Sequence, residues 1–244
     1  MVAELSIDVA PLPISEVFGP TLQGEGPAAG KPATFIRFMG CNLSCSWCDT
    51  AYTWDGSRFD LGAERTLMDA RLVGRLAVAG DTDVVVLTGG EPLLQQEQPG
   101  WRQLLSHLED HGRWVHLETN GTIPPSELTL AYTSLIVVSP KLSNAGPHRG
   151  HQDPRLHPEW LQLAPSVPWT HLKFVCQTPA DVVFAAEWAA EMGWPRGRVW
   201  VMPEGATAAE LAERWPAIAE AATRCRVNAS HRLHVLAWGT ERGH

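Results

Sequence analysis

Apolar positions along the chain follow two periods. Seven short β-branched or apolar runs read as strands: Thr34–Phe38, Asp83–Leu87, Arg113–Leu117, Ser134–Val138, His171–Val175, Arg198–Met202 and Leu233–Ala237. Between several of them the period changes to that of a helix. Leu72, Val73, Leu76 and Ala77 recur at helical spacing, as do Trp101, Leu104, Leu105 and Leu108, with Gly112 as the expected C-cap. Thr207 and Glu210 form a capping box ahead of Leu211, in a helix that Pro216 is expected to kink.

Strands alternating with helices predict right-handed βα units and a mainly parallel sheet. With six or seven units rather than eight, the pattern predicts an α/β fold of the partial (incomplete) TIM-type βα barrel kind, with six to seven parallel strands. An open doubly wound sheet is the competing architecture. The stretch Ser143–Thr170 is rich in Pro, His and Gly and weakly periodic, so it reads as an irregular insertion. Residues 1–244 are expected to form one domain carrying that insertion at about 143–170, and no solenoid-length repeat interrupts them.

Polar, glycine-rich or reactive segments follow the strands directly. They are Gly40–Asp49, Thr88–Pro92, Glu118–Gly121, Ser139–Lys141 and Pro203–Gly205. In parallel α/β folds functional sites sit at the carboxyl ends of the strands, so these segments are expected to meet on one face.

The totals narrow the classes. The 244 residues are 44% hydrophobic, enough for a substantial core. Nineteen basic against 27 acidic residues give a net charge of −8, which argues against a nucleic-acid-binding surface. No run of about 18 apolar residues suggests a membrane span. Met1–Ile14 lacks the basic start and apolar core of a signal peptide, so a cytoplasmic location is expected. Five cysteines is an odd number, and three of them fall within eight residues, unlike a secreted disulfide framework.

Those three carry the strongest chemical signal. Cys41-Asn-Leu-Ser-Cys45-Ser-Trp-Cys48 has C-x3-C-x2-C spacing, which lets one compact loop bring three soft thiolates around an iron–sulfur cubane. A structural zinc ion wants four protein ligands, and no second Cys or Cys/His knuckle is present. Cys176 and Cys225 stand alone and read as buried free thiols. His148, His151 and His157 lie in the irregular insertion and read as solvated loop residues.

The cysteine motif resembles that of the radical S-adenosylmethionine enzymes. There the fourth iron is ligated by the amino and carboxylate groups of S-adenosylmethionine, and an electron from the [4Fe–4S] cluster cleaves the sulfonium to a 5′-deoxyadenosyl radical. Thr88-Gly89-Gly90-Glu91-Pro92, downstream at a strand end, is similar to the segment that holds the methionyl amino group. Further segments narrow the resemblance to the 7-carboxy-7-deazaguanine synthase family. They are Ile14-Ser-Glu-Val-Phe-Gly-Pro-Thr-Leu-Gln-Gly-Glu-Gly26, Phe35-Ile-Arg37-Phe-Met-Gly-Cys41, Asp49-Thr50, Tyr52, Glu118-Thr-Asn-Gly121, Ser139-Pro-Lys141 and Met202-Pro-Glu-Gly205.

That resemblance implies conversion of 6-carboxy-5,6,7,8-tetrahydropterin to 7-carboxy-7-deazaguanine with loss of ammonia, on the route to queuosine and other deazapurines. Hydrogen abstraction from C6 begins the reaction, and S-adenosylmethionine is regenerated. It also implies roles by position. Cys41, Cys45 and Cys48 hold the cluster, and Thr50 is the protein ligand to Mg²⁺. Leu22, Gln23, Gly24, Glu25, Arg37 and Thr88 take the substrate, Arg37 pairing with its carboxylate. Trp47, Asp49, Gly90, Ser139, Pro140, Lys141, Met202, Pro203, Glu204 and Gly205 contact S-adenosylmethionine. A flavodoxin or ferredoxin reductant and a homodimer are implied as well, with no nucleic-acid or membrane partner. The tail His231–His244 carries no family motif. The competing readings are a glycyl-radical-enzyme activase, which needs an open groove, and an Fe–S electron carrier, which needs a fourth Cys ligand.

Overall fold

The structure is a computed structural model, and it describes residues 10–150 and 152–244. Its strands are β1 (Pro11–Leu22), β2 (Pro32–Phe38), β3 (Thr66–Asp69), β4 (Val84–Gly89), β5 (Trp114–Thr119), β6 (Thr133–Val138), β7 (Thr170–Cys176), β8 (Val199–Pro203) and β9 (Asn228–Ala229). The helices are α1 (Ala70–Ala79), α2 (Pro99–Asp110), α3 (Glu127–Tyr132), α4 (Pro158–Leu163), α5 (Pro179–Glu191), α6 (Ala208–Cys225) and α7 (Leu233–Trp238).

The described strands form one sheet in the order β3-β1-β2-β4-β5-β6-β7-β8-β9. From β2 to β9 all neighbours are parallel and follow chain order. A doubly wound sheet reverses its order at a switch point. The parallel run from β2 to β9 never does, and the one step back, to β3 beyond β1, is antiparallel, which decides for the incomplete barrel. The sheet stays open because β3 and β9 lie at opposite ends of the order.

Six of the seven predicted runs coincide with parallel strands. The seventh, Leu233–Ala237, is a correction: it is helix α7, not a strand. Val235 is its buried apolar side chain and Leu236 is exposed, a one-sided pattern that suits a helical turn docked on the domain. A short apolar run has no period of its own to decide the matter. The sequence reading also lacks β1, which pairs antiparallel with both β2 and β3. Gly112 lies just beyond α2 with a φ of +65°, the left-handed position expected after a helix end. The predicted capping box at Thr207 is present, and α6 continues past Pro216 to Cys225.

Period two along the strands separates core from cavity. Ile36, Phe38, Val85, Leu87, Leu117, Ile136, Val138, Leu172, Phe174 and Val201 belong to the main core, with Val73, Leu104, Val182 and Ile218 from the covering helices. The alternate positions Arg37, Thr88, Glu118, Ser139, Lys173, Met202 and Glu204 line a cavity on the opposite face. One face of each strand therefore holds the sheet to its helices, and the other presents polar side chains at the carboxyl ends.

Candidate active site

The cavity encloses about 430 Å³, within the usual range of small-molecule sites. Every residue to which the family resemblance gives a cluster, metal, substrate or cofactor role lines it except Gly24, Pro140 and Pro203. Gly24 is instead packed under α7. Its carbonyl accepts from Leu233 N at 3.1 Å, and a Cβ there would overlap the His234 ring.

All three cysteines of the 41–48 loop face the cavity. Around them pack Leu43, Trp47 and Ala145, so the thiols sit in apolar surroundings with donors aimed at them. Leu43 N lies 3.4 Å from Cys41 Sγ, and Trp54 Nε1 lies 3.3 Å from Cys48 Sγ. Burial pushes the Cys41 thiol up to about 12 and raises Cys45 as well. Such thiols keep their protons until a metal displaces them. Among the described residues no three His, Cys, Asp or Glu side chains gather closely enough to share one ion. Three soft thiols on one loop, each free to take its own iron, fit a [4Fe–4S] cluster. Cys176 is fully buried at the end of β7 and Cys225 is half-buried at the end of α6, away from the cavity lining.

The loop after β4 is built for close backbone approach. A Cβ on Gly90 would stand inside the contact distance of the Gly40 carbonyl and near Cys41 Cβ, so only glycine lets this turn lie against the cysteine loop. The next residue, Glu91, is fully buried. Its carboxylate accepts from Leu93 N at 3.0 Å, Thr119 Oγ1 at 2.8 Å and Asn120 N at 2.7 Å, which ties the loop to the end of β5. Burial raises its pKa against those hydrogen bonds.

The segment after β6 straps the cysteine loop from outside. Ser46 N donates to Ala145 O at 2.8 Å, Ser44 N to His148 Nδ1 at 3.1 Å, and Ser44 Oγ to Gln152 at 2.7 Å. Arg149 forks onto Asp55 at 2.9 and 3.3 Å. His148 is therefore a hydrogen-bonded part of this strap, which corrects its reading as a solvated loop residue. His157 caps α4 at 3.4 Å, and His151 lies outside the described residues.

An ion network crosses the cavity wall. Glu25 is paired with Lys173 and with Arg232, whose Nε lies 2.9 Å away. Arg232 also donates to Gly205 O at 2.6 Å and to Asp49. Glu118 accepts from Gln23 Nε2 at 2.9 Å and Thr88 Oγ1 at 3.0 Å, and Lys173 stands 3.9 Å from it. Burial pushes the Glu25 carboxyl up, but Lys173, Arg232 and His234 outweigh it and hold the group well below the usual carboxylate range. Asp49 is lowered in the same way, burial being overcome chiefly by Arg232. The wall thus offers carboxylates that the cations beside them hold in the ionised form, Glu25 nearly enclosed and Asp49 half-exposed.

On the β2 side, Arg37 donates from Nε to Glu16 at 2.6 Å, and Glu16 also accepts from Tyr52 Oη at 2.9 Å. Thr50 caps the turn after the cysteine loop through its carbonyl, and its hydroxyl lies 3.6 Å from Cys48 Sγ. Trp47 stacks beneath the Lys141 ammonium at 5.4 Å, and Lys141 donates to Ser139 Oγ at 3.1 Å.

Lys173, Glu118, Arg232, His234 and His244 line the cavity without having been assigned roles from the sequence. One signal for Lys173 was available: a cation in the middle of the apolar run His171–Val175. Arg232 and His234 gave none, because the run containing His234 resembles a strand.

Comparison with known proteins supports this geometry. Residues 35–140, which hold the cysteine loop and the Gly-Gly turn, match the radical SAM superfamily model. The chain is 36% identical to the 7-carboxy-7-deazaguanine synthase of Pyrobaculum aerophilum over 94% of its own length and 96% of the relative's. It is 39% identical to that of Hyperthermus butylicus over 92% of both chains. Among solved structures, QueE from Escherichia coli superposes with a TM-score of 0.63 at 25% identity, covering 91% of this chain and 93% of that one. Streptococcus suis SuiB, at 15% identity and a TM-score of 0.53 over 81% of this chain and 47% of its own, shares the fold. With the thiol loop, the open chain-ordered barrel and near full-length identity in agreement, the chain belongs to the 7-carboxy-7-deazaguanine synthase family of radical S-adenosylmethionine enzymes.

Proposed function

We propose that this protein converts 6-carboxy-5,6,7,8-tetrahydropterin to 7-carboxy-7-deazaguanine with loss of ammonia, in deazapurine biosynthesis. The observation that carries this reading is one cavity that joins three cluster-type thiols to Arg37 and to two acidic groups, Glu25 and Glu118. A carboxylated pterin presents an anion at one end and an N–H-rich edge at the other, and this wall presents the complements of both.

In this reading Arg37 takes the substrate carboxylate with its terminal nitrogens, while Glu16 fixes the guanidinium through Nε. Glu25 and Glu118 accept from the pterin edge, with Leu22, Gln23 and Thr88 beside them and Gly24 shaping the loop. Trp47, Asp49, Gly90, Ser139, Lys141, Met202, Glu204 and Gly205 enclose S-adenosylmethionine, and Pro140 and Pro203 hold two of those turns. Cys41, Cys45 and Cys48 hold the cluster. The cluster and S-adenosylmethionine, held by these residues, would supply one-electron chemistry at C6. The protein's share is to orient C6 toward the cofactor pocket and to keep water away.

Mg²⁺ belongs to the same reading, with Thr50 as its protein ligand beside the substrate. So do a flavodoxin or ferredoxin reductant, a homodimer and a cytoplasmic location, which rest on family likeness and on the clustered thiols. No helix among the described residues is long and apolar enough to cross a membrane. Anaerobic reconstitution, reduction and incubation with the tetrahydropterin tests the proposal. Appearance of the deazaguanine chromophore supports it, and an unchanged substrate spectrum refutes it.

A further inference from the structure

Arg232 touches three chain segments that the proposed function assigns to two different ligands. Its Nε donates to Glu25, on the substrate side, at 2.9 Å. Its terminal nitrogens donate to Asp49 and, at 2.6 Å, to the Gly205 carbonyl, both on the S-adenosylmethionine side. The side chain is 9% exposed, so water does not stand in for these partners.

We propose that Arg232 is a positioning residue that couples S-adenosylmethionine binding to pterin binding. The inference rests on the proposed function above and adds to it a residue outside every motif of the sequence.

The geometry allows few other routes. A guanidinium is planar, with donors in a fixed fork, so three acceptors on one fork hold set positions relative to one another. Lys173, the other cation on Glu25, reaches Glu118 but makes no bond to Asp49. The fork itself is anchored. Arg232 immediately precedes α7, and α7 is fixed to the substrate loop by the Leu233 to Gly24 hydrogen bond. A ligand that orders Asp49 and Gly205 therefore also orders Glu25, and the second ligand meets a site already set. That is positive coupling, and it acts equally in both directions.

Binding of S-adenosylmethionine to the anaerobically reconstituted full chain, with and without 6-carboxypterin as a stable substrate analogue, tests the proposal by calorimetry. In the parent, each ligand should tighten the other by roughly tenfold, an ordinary magnitude for coupled sites. Arg232→Lys keeps the charge but loses the fork. It should retain iron content and circular dichroism, bind each ligand alone, and lose the mutual tightening. Arg232→Gln should lose it too and should also bind the analogue more weakly.

Parent-like coupling in Arg232→Lys would overturn the proposal, as would a parent that binds both ligands independently. Loss of the fold in both variants would make Arg232 a scaffold residue and overturn it equally. A parent that binds S-adenosylmethionine but not 6-carboxypterin contradicts the proposed function itself, and the coupling with it.

Discussion

Glu16 accepts the Nε hydrogen of Arg37 at 2.6 Å, and this bond decides how Arg37 meets the cavity. It occupies the inner edge of the guanidinium and leaves the two terminal nitrogens, the pair that matches a carboxylate. Tyr52 Oη donates to the same Glu16 oxygen at 2.9 Å and holds it in place. The arginine is therefore aimed as well as charged.

Removing Arg37 should then act on the substrate alone. Loss of a buried charge-assisted partner costs about 2–5 kcal/mol, so Arg37→Ala should weaken 6-carboxypterin binding by that amount. Glu16→Gln should weaken it less, because the charge remains and only its aim is lost. S-adenosylmethionine affinity should hold in both, as titration of each ligand checks. Equal loss of both ligands in Arg37→Ala would assign that residue to the fold.

The three loop cysteines should behave differently from the two solitary ones. Iron and sulfide measured after reconstitution should fall sharply in Cys41→Ala, Cys45→Ala and Cys48→Ala. Both should stay near the parent level in Cys176→Ala and Cys225→Ala. Cluster loss in Cys176→Ala would contradict the assignment, since that thiol is buried behind β7 among core side chains.

Thr50 should carry the magnesium response. Its hydroxyl lies 3.6 Å from Cys48 Sγ at the cavity wall, and its carbonyl is already used within its own turn. Thr50→Ala should keep the cluster and bind S-adenosylmethionine, yet lose turnover and the effect of added Mg²⁺. Assays with and without the ion decide it. A variant that responds to Mg²⁺ as the parent does would remove Thr50 from the role.

Stability should fall on mild acidification because of histidines on the cavity side of the sheet. Burial lowers His116 to about 4 and His171 to about 4, from an ordinary value of 6.5. Between those values the unfolded chain binds more protons than the folded one, so the fold weakens as pH falls from 6.5 toward 4. Glu25 acts with the same sign in a lower window: its lowered pKa adds stability above about pH 4.5 that is lost only below it. The window from about pH 5 to 6.5 lies above the Glu25 step, and because the raised Glu91 acts with the opposite sign, the histidine contribution is read as a difference between parent and variant. Denaturation of His116→Gln there should show a shallower slope than the parent, by up to about 1.4 kcal/mol per pH unit. Identical slopes would show that His116 does not carry the dependence.

The parallel half of the fold was legible because strands such as β4 and β6 carry unbroken apolar runs, Val84 to Leu87 and Leu135 to Val138, with reactive segments directly after them. β1 was not. Pro11, Pro13, Gly19 and Pro20 disguise it as loop, and its pairing with β2 and β3 is a long-range property that local pattern does not encode. In the site, the contiguous motifs gave Cys41, Cys45, Cys48 and Arg37. Arg232 and Lys173 escaped because each acts through Glu25, which lies 207 and 148 residues away in sequence. Only the folded sheet, with the start of α7 bonded to the Gly24 loop, brings them together.

The central claim is tested most directly by counting products against S-adenosylmethionine. The reconstituted, reduced enzyme would be given excess 6-carboxy-5,6,7,8-tetrahydropterin and limiting S-adenosylmethionine with Mg²⁺. The account predicts many equivalents of 7-carboxy-7-deazaguanine, with matching ammonia, for each S-adenosylmethionine lost. Consumption of S-adenosylmethionine to 5′-deoxyadenosine and methionine, with no deazapurine formed, would contradict it.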